Sequence, residues 1–390
     1  AVVLRQSTTS SHQPYAVGMR ELVAIDVPRA SDAISVVRRV WEEGDAALIV
    51  DQRLPQVAKE SLLHSVKAHS VNDGRGTTRL DPQAEPMHEG DALVLATSGT
   101  SGIVKGVVHT HASLRAASLA SSAALGAGAA SHWLACLPLA HIGGFGVVSR
   151  AWHTGAQLSV LDSFEPEQAA SSGASHVSLV ATALRRIDPT LFVMILLGGS
   201  RPPENLPPNV VTTYGLTESC GGVVYNRKPI SGVEVAIDAD GEVLLRGPMT
   251  MSRYRDGELP HPIDDAGWLH TGDIGSISDG ELFVSGRRGD MIITGGENVW
   301  PDAVEARLAS HPLVSECAVA GIADPEWGQI VTAWVVPQLG TEPTLDELRD
   351  HVAQTLPRFA APKRLIIARN LPRTNLGKII RSALVSAVDN

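Results

Sequence analysis

"LATSGTSGIVKGVVHTH", Leu95 to His111, crowds hydroxyl residues and glycines ahead of a single lysine. Two readings compete: a cradle for a phosphate, or a polar turn between a buried strand and a helix. Upstream, "DALVLATSG" from Asp91 has the pattern of a strand running into a glycine turn. Downstream, "HASLRAASLASSAAL" has helical spacing. Gly99 and Gly102 would let backbone N–H groups approach an oxyanion; Thr97, Ser98, Thr100 and Ser101 offer hydroxyls, and Lys105 adds a point charge. The loop is not a Walker A motif, which places lysine directly after glycine and Ser or Thr after the lysine. Here Gly102 and Lys105 are separated and Gly106 follows. Taken alone, the stretch leaves both readings open.

Outward from this loop, short apolar runs alternate with helical patterns. "HWLACLPLAH", "QLSVLD", "HVSLV", "LFVMILLGG" and "NVVTTYG" read as strands, and "FGVVSRAWHTG" as a helix. This alternation predicts an α/β architecture with parallel strands and a site at their C-terminal ends. Before the loop, a helix is expected up to Trp41, a strand over Ala46–Val50 and a helix over Lys59–His69. "SVNDGRGTTRLDPQAEP" reads as a loop by composition. After Val233 the texture turns to short alternating strands, "VEVAID", "GEVLLRG" and "GELFVSG", suggesting a β subdomain. Beyond "GRRGD" (Gly286–Asp290) a compact α+β unit is expected. Its helices fit Asp302–Ala309 and Leu345–Leu356, and its strands Cys317–Ala320, Val331–Val336 and Arg364–Ala368. The expected division is residues 1–286, a hinge at 287–289, and a small mobile unit at 290–390.

The 390 residues carry a formal charge of −10, which argues against nucleic-acid or anionic-membrane partners needing a basic face. Cys136, Cys220 and Cys317 lie far apart without a CxxC pair, so neither a disulfide framework nor a zinc site is expected. The longest apolar run, Leu191–Leu197, is far short of the roughly 18 residues of a membrane span, and the N-terminal stretch lacks a signal-peptide core. A cytoplasmic protein is expected, its oligomeric state open, a homodimer included.

The loop is followed in order by "TTYGLTESCGG" (Thr212–Gly222), "WLHTGD" (Trp268–Asp273), "GRRGDMIITGGENVWP" (Gly286–Pro301) and "LPRTNLGK" (Leu371–Lys378). With this series the sequence resembles the adenylate-forming superfamily of acyl-CoA synthetases, luciferases and peptide-synthetase adenylation domains. Within it, "LPLAHIGGFGVVSRAWHTGAQLSV", "SHVSLVATALRR" and "TYGLTESCGGVVYNRKPISGVEV" are similar to the o-succinylbenzoate–CoA ligases of menaquinone biosynthesis. The resemblance implies a carboxylic acid, ATP and CoA as substrates, with Mg²⁺. The acid attacks the α-phosphorus, pyrophosphate leaves, and the CoA thiol then displaces AMP.

The same resemblance implies roles. Thr97 to Lys105 would hold the β- and γ-phosphates, Thr217 the α-phosphate, and Glu218 Mg²⁺, a hard ion suited to oxygen ligands. Gly198, Gly199 and Ser200 would line the adenine pocket with Tyr214 and Gly215. Asp273 would take the ribose hydroxyls, Arg287 the ribose or phosphate, and Lys378 would be the adenylation lysine. His141 would gate the acyl pocket, shaped by Gly143, Gly144 and Phe145. Arg150 interrupts the apolar stretch "FGVVSRAWHTG", where a buried guanidinium needs a partner. The second carboxylate of o-succinylbenzoate would supply one; solvent exposure or an internal ion pair is the other reading. "HTH" (His109–His111) lacks an evident third metal ligand and reads as structural.

The sequence departs from the family at three points. Ser101 and Val104 stand where a threonine and a proline are common, Gly289 stands at the hinge where Asp or Lys is usual, and the chain before Thr97 is short. Rival readings are an aryl- or fatty-acyl-CoA synthetase, an adenylation domain serving a carrier protein (with no carrier segment expected after Asn390), and a nucleotide-binding regulator without catalysis.

Overall fold

Continuous apolar runs rather than alternating ones mark the centre of the first sheet. Leu22–Ile25 and Ala46–Ile49 are buried along their whole length, as strands covered on both faces must be. The computed structural model describes residues 2–3, 20–81, 84–98, 104–199, 202–203, 205–255, 261–373 and 379–388. They form two compact units, one of residues 1–236 and 244–271, the other of residues 237–243 and 272–390. The first is the larger and of α/β type, the second a smaller α+β unit.

The first unit holds two sheets. In the seven-stranded one, the parallel strands Ser70–Asn72, Leu22–Ile25, Ala46–Ile49 and Asp91–Ser98 are flanked by antiparallel edges. Val104–Thr110 pairs antiparallel with Asp91–Ser98 on one side and Arg253–Tyr254 on the other. The eight-stranded sheet has five parallel strands in its middle, in the order Gln157–Val160, His132–Ala135, His176–Leu179, Met194–Leu197 and Val210–Leu216. Helix Ile142–Thr154 makes the crossover between the first two, and Ser149 on it hydrogen-bonds Ser118 on helix His111–Ala124 at 2.7 Å.

The structure adds a strand after the glycine-rich loop and corrects two expectations. The strands on either side of the glycine-rich loop, Asp91–Ser98 and Val104–Thr110, pair antiparallel, and the helix begins at His111 as its spacing predicted. "VKGVVHT" is a strand because Val107 and Val108 are buried and both of its edges are paired. Helix Gln56–Ser65 stops short of His69, since Lys67 adopts a positive φ of 49° and turns the chain. The expected loop after it contains the hairpin Ser70–Asn72 and Thr77–Arg79. Asn72 and Asp73 side chains accept the N–H groups of Gly74, Arg75 and Gly76 in its turn. Pairing on the edge of Leu22–Ile25 supplies the order that local composition lacks.

In the second unit, residues 273–278 and 281–287 form a hairpin. Val314–Asp324 and Gly328–Pro337 form a longer one, and Arg364–Ile367 adds a parallel strand. Both strands of that longer hairpin outrun their predicted bounds. Helices Pro301–Ala309 and Leu345–Ala353 bury Val304, Leu308, Leu348 and Val352 against Val319, Val331 and Val335. Arg381, on the short helix Arg381–Ser386, donates to Asp290 and Glu305, each at 2.9 Å, to Asp302, and to the Val319 carbonyl. No helix among the described residues is long and apolar enough to cross a membrane.

Candidate functional site

In the first unit, the hairpin places Thr97 directly opposite Lys105 and Ser98 opposite Val104. Gly99, Thr100, Ser101 and Gly102 lie outside the described residues, as does Ser200. Lys105 Nζ sits 5.0 Å from the centroid of the Tyr254 ring, a cation–π distance. The Tyr254 hydroxyl in turn donates to Glu218 Oε1 at 2.9 Å. Lysine and carboxylate are thus joined through an aromatic ring that the sequence reading did not single out. Tyr254 reaches them because Arg253–Tyr254 pairs with Val107 and Val108, and Arg253 is anchored by Asp91, 2% exposed, at 2.6 and 3.1 Å.

Thr217 and Glu218 lie on a tight turn, not at a helix start. Cys220 N–H donates to the Thr217 carbonyl at 3.0 Å, and Met251 N–H to the Glu218 carbonyl at 2.8 Å. Ser219 Oγ accepts from Leu216 N–H and donates to the Gly221 carbonyl. Cys220 holds a positive φ of 57°. A Cβ on Gly215 would lie 1.9 Å from the Gly221 oxygen, so only glycine permits this turn to close on its own strand. The Thr217 carbonyl also accepts from Nε2 of His109, which is fully buried. Burial pushes the His109 pKa down to about 4, so the ring is neutral. Gly198 and Gly199 follow strand Met194–Leu197, beside strand Val210–Leu216 with Tyr214 and Gly215.

The acyl-side residues lie on helix Ile142–Thr154 and at its start. A Cβ on Gly144 would come within 2.3 Å of the Pro138 carbonyl oxygen, so glycine is required where the helix meets the Leu137–Pro138 backbone. Phe145 is fully buried, edge-on to Trp41 and Trp152. His141 Nε2 lies 3.1 Å from Asp51 Oδ2 and 3.2 Å from Arg53 Nη2. When protonated, that nitrogen donates to the carboxylate; when bare, it accepts from the guanidinium. His141 is therefore held in either form. Burial alone would raise the Asp51 pKa, but hydrogen bonds from Arg53 and His141 hold it well below the usual carboxylate range.

Arg150 is 8% exposed, which removes the solvent-exposed reading. Its Nη2 donates to Ser178 Oγ at 2.8 Å and its guanidinium lies 4.6 Å from the Trp133 ring centroid. Its Nε is buried without a hydrogen-bond partner, and no carboxylate among the described residues pairs with it. Burial pulls its pKa below the ordinary arginine value.

In the second unit, Asp273 and Arg287 are cross-strand partners, with Arg287 Nη1 3.7 Å from Asp273 Oδ1. Asp273 is 8% exposed while the Arg287 side chain is more open. The neighbouring Gly272 N–H donates to Glu242 at 2.7 Å, which fixes the turn before Asp273. Gly289 has no atom within 4 Å of where a Cβ would stand. Lys378 lies outside the described residues.

The profile of the family described as AMP-binding enzyme matches residues 23–255, and that of the AMP-binding enzyme C-terminal domain matches residues 303–378. The chain belongs to the AMP-binding enzyme family. It is 37% identical over 329 residues to a Mycobacterium tuberculosis (strain CDC 1551 / Oshkosh) protein named "Probable 2-succinylbenzoate--CoA ligase", covering 77% of this chain and 85% of that one. The 2-succinylbenzoate--CoA ligase of Bacillus cytotoxicus is 32% identical over 426 residues, covering 93% and 87%. Among solved structures, o-succinylbenzoate CoA synthetase from Bacillus subtilis with the acyl-adenylate intermediate OSB-AMP superposes with a TM-score of 0.84 at 26% identity, covering 94% and 88%. The same Bacillus subtilis enzyme has been solved with ATP and magnesium ion. The larger α/β part and the smaller C-terminal part expected from the sequence agree with this fold similarity and with the two family matches.

Proposed function

We propose that this enzyme is an ATP-dependent acid–CoA ligase that works through an acyl-adenylate, with o-succinylbenzoate as its acid and menaquinone biosynthesis as its setting. The observation that carries the choice of acid is Arg150, a buried guanidinium lacking a carboxylate partner among the described residues. A monocarboxylic acid spends its only carboxylate on the reaction. A dicarboxylate keeps a second, and a desolvated guanidinium suits it. The relatives named 2-succinylbenzoate--CoA ligase support the same choice.

In the first step a carboxylate oxygen attacks the α-phosphorus and pyrophosphate leaves. Anion approaches polyanion, so positioned donors and positive charge dominate. Thr97, Ser98 and the glycine loop through Lys105 hold the outer phosphates, and the Thr217 hydroxyl donates to the α-phosphate. Glu218 and the phosphates offer hard oxygens that fit Mg²⁺, and the ion, when bound, neutralises phosphate charge. Gly198, Gly199, Ser200, Tyr214 and Gly215 take the adenine; Asp273 and Arg287 take the ribose. Lys378 bridges the acyl carboxylate and phosphate. His141, held by Asp51 and Arg53, gates a pocket shaped by Gly143, Gly144 and Phe145. In the second step the CoA thiolate attacks the acyl carbon and AMP leaves. We assign the hinge to residues 287–289, supported by the open surroundings of Gly289, and place the enzyme in the cytoplasm, where buried free thiols such as Cys136, Cys220 and Cys317 persist.

A panel of o-succinylbenzoate, benzoates and fatty acids with ATP, Mg²⁺ and CoA tests the function. Stoichiometric AMP, pyrophosphate and thioester, with o-succinylbenzoate the best acid, is the expected result. No thioester from o-succinylbenzoate overturns the choice of acid. Nucleotide binding without turnover of any acid overturns the ligase reading. Lys378→Ala is expected to damage adenylation far more than thioester formation from supplied acyl-adenylate.

A further inference from the structure

Strand Val104–Thr110 reaches the Thr217–Glu218 turn twice. Lys105 and His109, four residues apart, point to the same face of the strand. Lys105 lies over Tyr254, whose hydroxyl holds the Glu218 carboxylate, while His109 Nε2 holds the Thr217 carbonyl at 2.8 Å. A carbonyl only accepts, so Nε2 carries the proton and Nδ1 is bare. That Nδ1 is buried with no hydrogen-bond partner. An unsatisfied buried polar atom costs free energy, and an apolar side chain would avoid it. The Thr217 carbonyl does not need His109 for satisfaction, because Cys220 N–H already donates to it at 3.0 Å. The second bond ties the turn to the lysine-bearing strand.

We propose that His109 is a positioning residue for adenylation, a neutral brace that fixes the Thr217 hydroxyl and Glu218 carboxylate relative to Lys105. This rests on the acyl-adenylate reading above. His109 touches neither nucleotide nor acid; it acts through the Thr217 backbone. Glutamine can place an amide N–H near the position of Nε2, whereas leucine fills the space without a donor.

The test compares His109→Leu and His109→Gln in the two half-reactions. For His109→Leu, kcat of acid-dependent ATP–pyrophosphate exchange is expected to fall about 10- to 100-fold, with KM for ATP changed less than about threefold. Thioester formation from supplied acyl-adenylate and CoA should stay within about threefold of wild type, and His109→Gln should recover most of the exchange rate. Equal losses in both half-reactions, or no recovery with glutamine, would overturn the brace. If the leucine variant does not fold, imidazole ¹⁵N spectra of wild type decide. The neutral Nε2–H tautomer at His109 is expected, and the Nδ1–H tautomer contradicts it. A wild-type enzyme without exchange activity would overturn the ligase reading instead, and the tautomer would still decide the tether.

Discussion

Two arginines, one in each unit, are removed from water in opposite ways. Arg381 is surrounded by Asp290, Asp302 and Glu305. Burial works against its charge, yet these carboxylates outweigh it and raise its pKa. Arg150 is buried beside Trp133 and Ser178 with no carboxylate partner among the described residues, and burial lowers its pKa. A structural cation is built with its counter-charges; a binding cation leaves that place to the ligand. Arg255 shows a third arrangement, with the carbonyls of Val66, Lys67 and Glu85 around its buried guanidinium. His109 shows a fourth, in which a buried group sheds its charge. Arginine cannot do that near neutral pH.

The contrast breaks most readily at Arg381. Arg381→Met should cost about 3 kcal/mol of stability, the low end for a broken buried pair because its three carboxylates are only partly buried, measured by denaturant unfolding. A loss no larger than that of an exposed arginine would remove its structural role. Next comes acid. His109 has a folded pKa of about 4, below its unfolded value, so its contribution is complete above the unfolded pKa near 6.5 and is lost as pH falls toward 4. The loss is roughly 3 kcal/mol. His109→Gln should flatten this part of the stability–pH curve, and an unchanged slope would show that His109 is not buried neutral. Arg255→Met should cost about 1–3 kcal/mol, the scale of unsatisfied buried carbonyls. Arg150→Met should leave stability within about 1 kcal/mol of wild type or raise it, because it removes a desolvated charge and leaves only the Ser178 hydroxyl, and no charged group among the described residues, without its partner. A fall as large as that of Arg381→Met would place Arg150 among the structural cations.

The sequence made legible what depends on local pattern and on ordered motifs. Strands such as Met194–Leu197 and Val210–Leu216 have apolar runs ending in glycine, and their order in the chain marked an α/β sheet. The helix and strand centres of the second unit were legible too, while their ends shifted by a few residues. What depends on distant partners was hidden. Ser70–Asn72 and Thr77–Arg79 look like a loop because an edge strand elsewhere orders them. The glycine loop's second strand, Val104–Thr110, was not read from the sequence, and its outer partner Arg253–Tyr254 comes far later in the chain. Arg150 stood out as a charge in an apolar helix, but its burial could not be read there. Tyr254 and Asp51 gave no sequence signal, since each acquires its place through a side chain tens of residues away, and Arg53 is set in turn by Asp51, two residues before it. His109 was legible as structural; the neighbour it holds was not.

The ratio of kcat/KM for o-succinylbenzoate to that for a benzoate of similar size, compared between wild type and Arg150→Met, tests the central claim most directly. A buried charge-assisted pair predicts that the variant loses about 100-fold on the dicarboxylate and only a few-fold on the monocarboxylate, while remaining folded. Equal losses on both acids would contradict the assignment of Arg150 to the second carboxylate, and with it the reason for choosing this acid.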